Sequence, residues 1–131
     1  MSPFALWLRN ARKNRGIRQV SLAHSMGYEQ GYLSGIELGL RPPSKEFLAR
    51  FAAHLQLSEE ELYEMEQALQ CSKRRLVLPV TAMPEAFELL NDLSKTLNRL
   101  SPEQIQFVRQ ALTLSSGVRA STEREVDMAQ R

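Results

Sequence analysis

The stretch QVSLAHSMGYEQGYLSGIELG, residues 19–39, decides the fold. Leu22, Ala23 and Met26 recur at helical spacing, and Leu33 with Ile36 repeats the pattern after a break at Gly27. The spacing predicts a helix over about 18–26, a tight Gly27-Tyr28 turn, and a second helix over about 29–38. Gly39 ends the second helix. Arg41-Pro42-Pro43 then continues as an extended loop, because the residue before a proline is driven out of the helical region.

Helical signals continue outward on both sides. Phe4, Leu8 and Ala11, with Trp7 beside them, predict a helix over 4–14, with Ser2 as its cap and Pro3 in its first turn. Gly16 suits the left-handed position that ends it. Ser44 opens a fourth helix whose stripe reads Leu48, Phe51, Ala52 and Leu55. Ser58 to Glu61 matches a capping box and opens a fifth, carrying Leu62, Met65 and Leu69. Residues 72–84 hold a basic run, an apolar run and two prolines. They read as a linker with room for one short strand. Helical periodicity returns over 85–100, where Ala86, Leu90, Leu93, Leu97 and Leu100 form a short heptad seam. Ser101-Pro102-Glu103-Gln104 signals a last helix start, with Ile105, Val108, Ala111 and Leu112 inward. Residues 115–131 are polar and lack a stripe, so a disordered tail is expected there. The expected fold is all-α: a five-helix domain over 1–71, a linker over 72–84, a helical hairpin over 85–114, and the tail.

Composition narrows the function. The chain has 131 residues, 43% apolar and 24% charged, which is ordinary for a globular protein. Its single cysteine, Cys71, excludes an intramolecular disulfide and a cysteine zinc cluster. His24 and His54 are too few and too far apart for a histidine metal site, so neither metal nor cofactor is expected. The first apolar run, Phe4 to Leu8, is too short for a secretion signal or a membrane span. A cytoplasmic setting follows as the expectation. No glycine-rich phosphate loop, nucleophile elbow or HExxH stands in the sequence, so no enzyme is expected. The net charge of +2 hides an asymmetry: residues 1–58 carry eight Lys/Arg and three Glu, whereas 59–71 carry five Glu and no base. A basic front segment is an electrostatic footprint for a polyanion.

The two helices around Gly27 have the spacing of a helix-turn-helix. The series Gln19, Leu22, Ala23, Met26, Gly27, Tyr28, Gln30, Tyr32, Leu33, Ser34, Ile36, Glu37, Gly39, Arg41, Pro43 and Ser44 resembles the lambda-repressor/Cro-like (Xre) DNA-binding family. Leu48, Phe51, Ala52, Leu55, Leu57 and Ser58 continue the resemblance, which covers residues 4–70. It implies double-stranded DNA as the partner, a bacterial or phage source, and residues 29–38 as the recognition helix.

Site roles follow from that resemblance. Gln30 would contact adenine N6 and N7, as glutamine geometry permits. Gln19 resembles the family's phosphate-contacting glutamine, which also buttresses the base-reading side chain. Ser34, on or near the exposed face, would read bases with Gln30, and Glu29 would accept from cytosine N4 or cap the helix. Tyr32 would either reach a phosphate or pack on the preceding helix. Arg41 and Lys45 flank the loop as phosphate ligands. Arg12 and Glu37 would form a structural ion pair, and Arg9, Lys13 and Arg15 would be solvated charges. Three positions depart from the family pattern. Arg18 replaces a capping Thr or Ser and would contact phosphate. Gly31 and Gly35 stand where base-reading side chains are usual, so the helix either approaches the bases closely or has lost readout. Leu38 and Leu40 occupy usually polar loop positions, either exposed as a contact surface or buried under the fourth helix.

An isolated helical hairpin cannot bury both faces, so either a partner covers the rest or the hairpin docks on its own DNA-binding domain; a second copy is the expected partner. Leu90, Leu93, Leu97, Leu100, Ile105 and Val108 would dimerise the chain, which suits the two half-sites of a palindromic operator. The expected function is a homodimeric transcriptional repressor. The alternative is a protein-interaction module, antitoxin-like or an inhibitory adaptor, whose C-terminal helices bind another protein.

Overall fold

The computed structural model describes residues 1–114 and is all-α, with no strand among them. The chain divides into two units, Met1–Val77 and Leu78–Arg131. The first holds α1 (Pro3–Asn14), α2 (Gln19–Met26), α3 (Gln30–Glu37), α4 (Lys45–Leu55) and α5 (Glu59–Gln70). The second holds α6 (Pro84–Thr96), a 3-10 turn at Leu97–Arg99, and α7 over 102–114. The tail expected over 115–131 lies outside the described residues.

Side-chain capping fixes where α1, α4 and α5 start. The Ser2, Ser44 and Ser58 hydroxyls accept from the backbone N–H groups of Ala5, Phe47 and Glu61. Glu61 returns the bond to the Ser58 N–H, completing the box. Gly27 closes α2 at φ +80°, where a Cβ would be strained. This single left-handed residue turns the chain directly into α3.

The first unit has one core. Phe4, Leu8, Leu22, Leu33, Ile36, Phe47 and Phe51 are almost fully buried, and Met65 of α5 closes the cluster. In α4 the buried line is Phe47, Phe51 and Leu55, with Leu48 only half-buried. The expected stripe of Leu48, Phe51, Ala52 and Leu55 thus has Phe51 and Leu55 right but omits Phe47, which is as deeply buried as Phe51. Phe47 is central because it stacks on Phe51 at 6.0 Å and meets the rings of Tyr28 and Tyr32 at 5.6 and 6.0 Å. Aromatic contacts between helices settle a choice that periodicity leaves open. Leu62 is likewise more exposed than expected.

Arg15 is not a solvated charge. Its Nη2 donates to Glu61 Oε2 at 2.7 Å and Oε1 at 3.0 Å, tying the end of α1 to the start of α5. Residues 72–75, read as linker, belong to the first unit. The Ser72 Oγ accepts from the Phe4 N–H at 2.8 Å, and Arg74 donates to the Gly39 carbonyl at 2.7 Å.

The second unit has no buried residue in α6. Ala86, Leu90, Leu93 and Leu100 are half-buried, and the expected helix over 85–100 instead ends at Thr96. The tighter 3-10 turn rotates Leu97 off the seam and leaves it exposed. The Ser101 cap forms as expected, its hydroxyl accepting from the Gln104 N–H and its own N–H donating to Gln104 Oε1.

Two outcomes are expected. Phe47→Ala costs about 3–5 kcal/mol in urea denaturation, and Leu48→Ala clearly less. The Arg15 guanidinium, then the Ser58 N–H, hold the Glu61 carboxyl below the usual carboxylate range. That stabilisation is present above the unfolded-state pKa and is lost as pH falls through the lowered folded value. A carboxyl NMR titration therefore shows Glu61 titrating below free glutamate, and Arg15→Ala moves it back up.

Candidate nucleic-acid interface

The geometry starts in the core, at Arg12 on α1 and Glu37 at the end of α3. Both are buried, at 8% and 4% exposure. Arg12 Nε donates to Glu37 Oε1 at 2.5 Å and Arg12 Nη2 to Oε2 at 3.2 Å. The free edge of the guanidinium donates from Nη1 to the Ile17 carbonyl at 2.8 Å. Burying two charges is costly unless their remaining hydrogen-bonding positions are filled. Here a third donor fills one: Gln19 Nε2, from the first turn of α2, bonds Glu37 Oε2 at 2.6 Å.

That bond sets a direction. A carboxylate only accepts, so Gln19 must turn its NH2 inward and its carbonyl outward. The outward Oε1 accepts from Gln30 Nε2 at 3.3 Å. Gln30 is exposed at the first turn of α3. With one N–H committed to Gln19, Gln30 keeps a second N–H and its Oε1 for a further partner. A neighbouring acceptor–donor pair, such as the N7 and N6 edge of adenine, matches those two groups.

The other expected residues fall around this line. Ser34, half-buried, lines a cleft with Arg9, Gln19 and Leu38. Glu29 is the N-cap residue of α3 and Arg18 that of α2, and neither side chain makes a capping bond. Both are exposed, as is Lys45 at the start of α4. Gly31 opens onto free space. Gly35 does not, since a Cβ there would lie 3.6 Å from both Cδ and Nε of Arg41. Arg41 thus lies across the bare end of α3, its guanidinium 5.5 Å from the Tyr32 ring centroid. Tyr32 packs, though not on α2: it stacks on Tyr28 of the turn at 4.8 Å and meets Phe47 of α4 at 6.0 Å. Leu38 and Leu40 are exposed, at 54% and 76%, so burial under α4 is excluded.

At this surface two features escaped sequence reasoning. Glu37 was legible as the partner of Arg12 but not as the anchor of Gln19. The basic run at 73–75 was not legible as part of the first unit. Among the described residues, no group of His, Cys, Asp and Glu could hold a metal ion, and no helix is long and apolar enough to cross a membrane.

If the pair anchors the unit, removing one member leaves the other charge buried and unpaired. Glu37→Gln and Arg12→Met are each expected to cost about 3–5 kcal/mol in chemical denaturation. The double variant should cost clearly less than their sum.

Residues 3–65 match the helix-turn-helix domain family. Two proteins from strains of Mycobacterium tuberculosis, each named an uncharacterized HTH-type transcriptional regulator, are 32% identical to this chain over 83 residues. The aligned stretch covers 60% of this chain and spans 59% of either relative's length. No solved structure matches the chain significantly. The family match is consistent with the lambda-repressor/Cro-like resemblance and takes in α1 to α4 and the first half of α5. Residues 3–65 of this chain form a helix-turn-helix domain.

Proposed function

We propose that this chain is a sequence-specific DNA-binding transcriptional regulator, a homodimeric repressor that occupies a palindromic operator through α3. The observation that carries this reading is the Glu37–Gln19–Gln30 relay, which presents a glutamine amide in one orientation at the start of the second helix of a helix-turn-helix. Preorganised polar side chains at that place suit direct readout in the major groove. The names of the two mycobacterial relatives agree with a regulator.

In this reading Gln30 reads adenine, and Ser34 and Glu29 contact neighbouring base edges. Gly31 lets the helix approach closely. Arg18, Gln19, Arg41 and Lys45 hold phosphates, and Tyr32 supports Arg41 from beneath. Leu90, Leu93, Leu97, Leu100, Ile105 and Val108 join two copies, because exposed or half-buried leucines on helices without a buried core call for a partner. The alternative, an interaction module whose C-terminal helices capture another protein, draws on the exposed rings of Phe87 and Phe107.

Gln30→Ala is expected to cost about 1–3 kcal/mol of operator affinity and to relax one base position per half-site. Arg41→Ala instead weakens binding similarly on all sequences and lowers the salt slope. An unchanged preference after Gln30→Ala would remove α3 as the reading element. Leu90→Glu with Leu97→Glu should give a monomer by light scattering and abolish operator binding. If the wild-type chain is already a monomer, the interaction-module reading takes its place.

A further inference from the structure

The strongest unassigned charge on the first unit lies outside the family match, in residues 73–75. Ser72 is fixed to the start of α1 and Arg74 to the Gly39 carbonyl, so this run is folded back against the loop that leaves α3. A groove of about 570 Å³ opens there. Its floor is apolar, built from Phe4, Ile36 and Leu69. Its rim carries four cations: Arg41, Lys73, Arg74 and Arg75. No carboxylate lines it, and none of the four is in an ion pair among the described residues. A cleft of one charge sign with low-dielectric walls concentrates its field on an approaching counter-charge. Because Arg41 also lies across α3, the groove continues the basic edge of the candidate interface.

We propose that Lys73 and Arg75 are a second phosphate-binding site for double-stranded DNA, extending the track of Arg41 beyond the helix-turn-helix domain itself. Arg74 is the positioning residue, since its Nη2 donates to the Gly39 carbonyl and holds the run in place. Lys73 and Arg75 are exposed, and neither is in an ion pair among the described residues. The site carries no sequence information, because phosphate contacts position the protein without reading bases. The inference rests on the DNA-binding reading above.

The test is a salt titration of the full chain on a duplex chosen from a random library, comparing wild type with the double variant Lys73→Ala, Arg75→Ala. Each lost phosphate contact lowers the slope of log K against log salt by about 0.9. The double variant is thus expected to lose nearly two from the slope. Its fall in affinity between 50 and 200 mM salt should be about tenfold smaller than the wild type's. Its preferred sequence should not change. The charge-preserving pair Lys73→Arg, Arg75→Lys should restore the wild-type slope, which a role in folding alone would not explain. A sequence-selective wild type whose slope is untouched by the double alanine variant would overturn this site and leave the DNA reading standing. A wild type with no sequence preference and no salt slope would overturn both.

Discussion

A buried arginine–glutamate pair, Arg12 with Glu37, is the constraint on which the rest of the first unit depends. Such a pair is weak as a source of stability, because desolvation consumes most of its attraction. Its effect is to forbid alternatives. Arg12 has donors on three sides and Glu37 has acceptors to fill, so α1, the Ile17 carbonyl, α2 and α3 can satisfy them in one arrangement. Glu37 also has a sign. It imposes an orientation on Gln19, and Gln19 imposes one on Gln30. A charge in the core thereby decides which atoms of an exposed amide face outward.

The exposed parts are arranged around that line by simpler forces. Gly27 permits the turn between α2 and α3, and the aromatic cluster of Tyr28, Tyr32 and Phe47 braces α3 against α4. The bare backbone at Gly35 is covered by Arg41, which rests on Tyr32. A residue larger than alanine at position 35 would compete with Arg41 for that space. The glycines of α3 thus differ, since Gly31 leaves the surface open and Gly35 makes room for a cation from the loop.

Much of this was legible in the sequence, for physical reasons that can be named. Caps and glycine stops are local, so Ser2, Ser44, Ser58 and Gly27 mark helix ends correctly within a residue or two. The Arg12–Glu37 pair came from family resemblance, since nothing in the spacing of two residues 25 apart predicts their contact. What escaped is tertiary. Leu48 and Phe47 are both apolar at adjacent positions, and only ring packing from Tyr28, Tyr32 and Phe51 selects Phe47. Arg15 looked like any surface base until α5 brought Glu61 to it. The 73–75 run looked like a linker because its anchors, Phe4 and Gly39, are remote in sequence. In the second unit the heptad spacing was visible. The 3-10 turn that displaces Leu97 had no local signal in Leu97-Asn98-Arg99.

The core pair reaches the exposed amide of Gln30 through Gln19. A double-mutant cycle of Gln19→Ala and Gln30→Ala on affinity for the preferred duplex tests it most directly. Coupled residues in one hydrogen-bonded network are expected to show an interaction energy of about 0.5–3 kcal/mol, so the second substitution should cost less once the first is made. Strict additivity, with each glutamine acting alone, would contradict the relay and reduce the Gln19–Gln30 contact to an accident of packing.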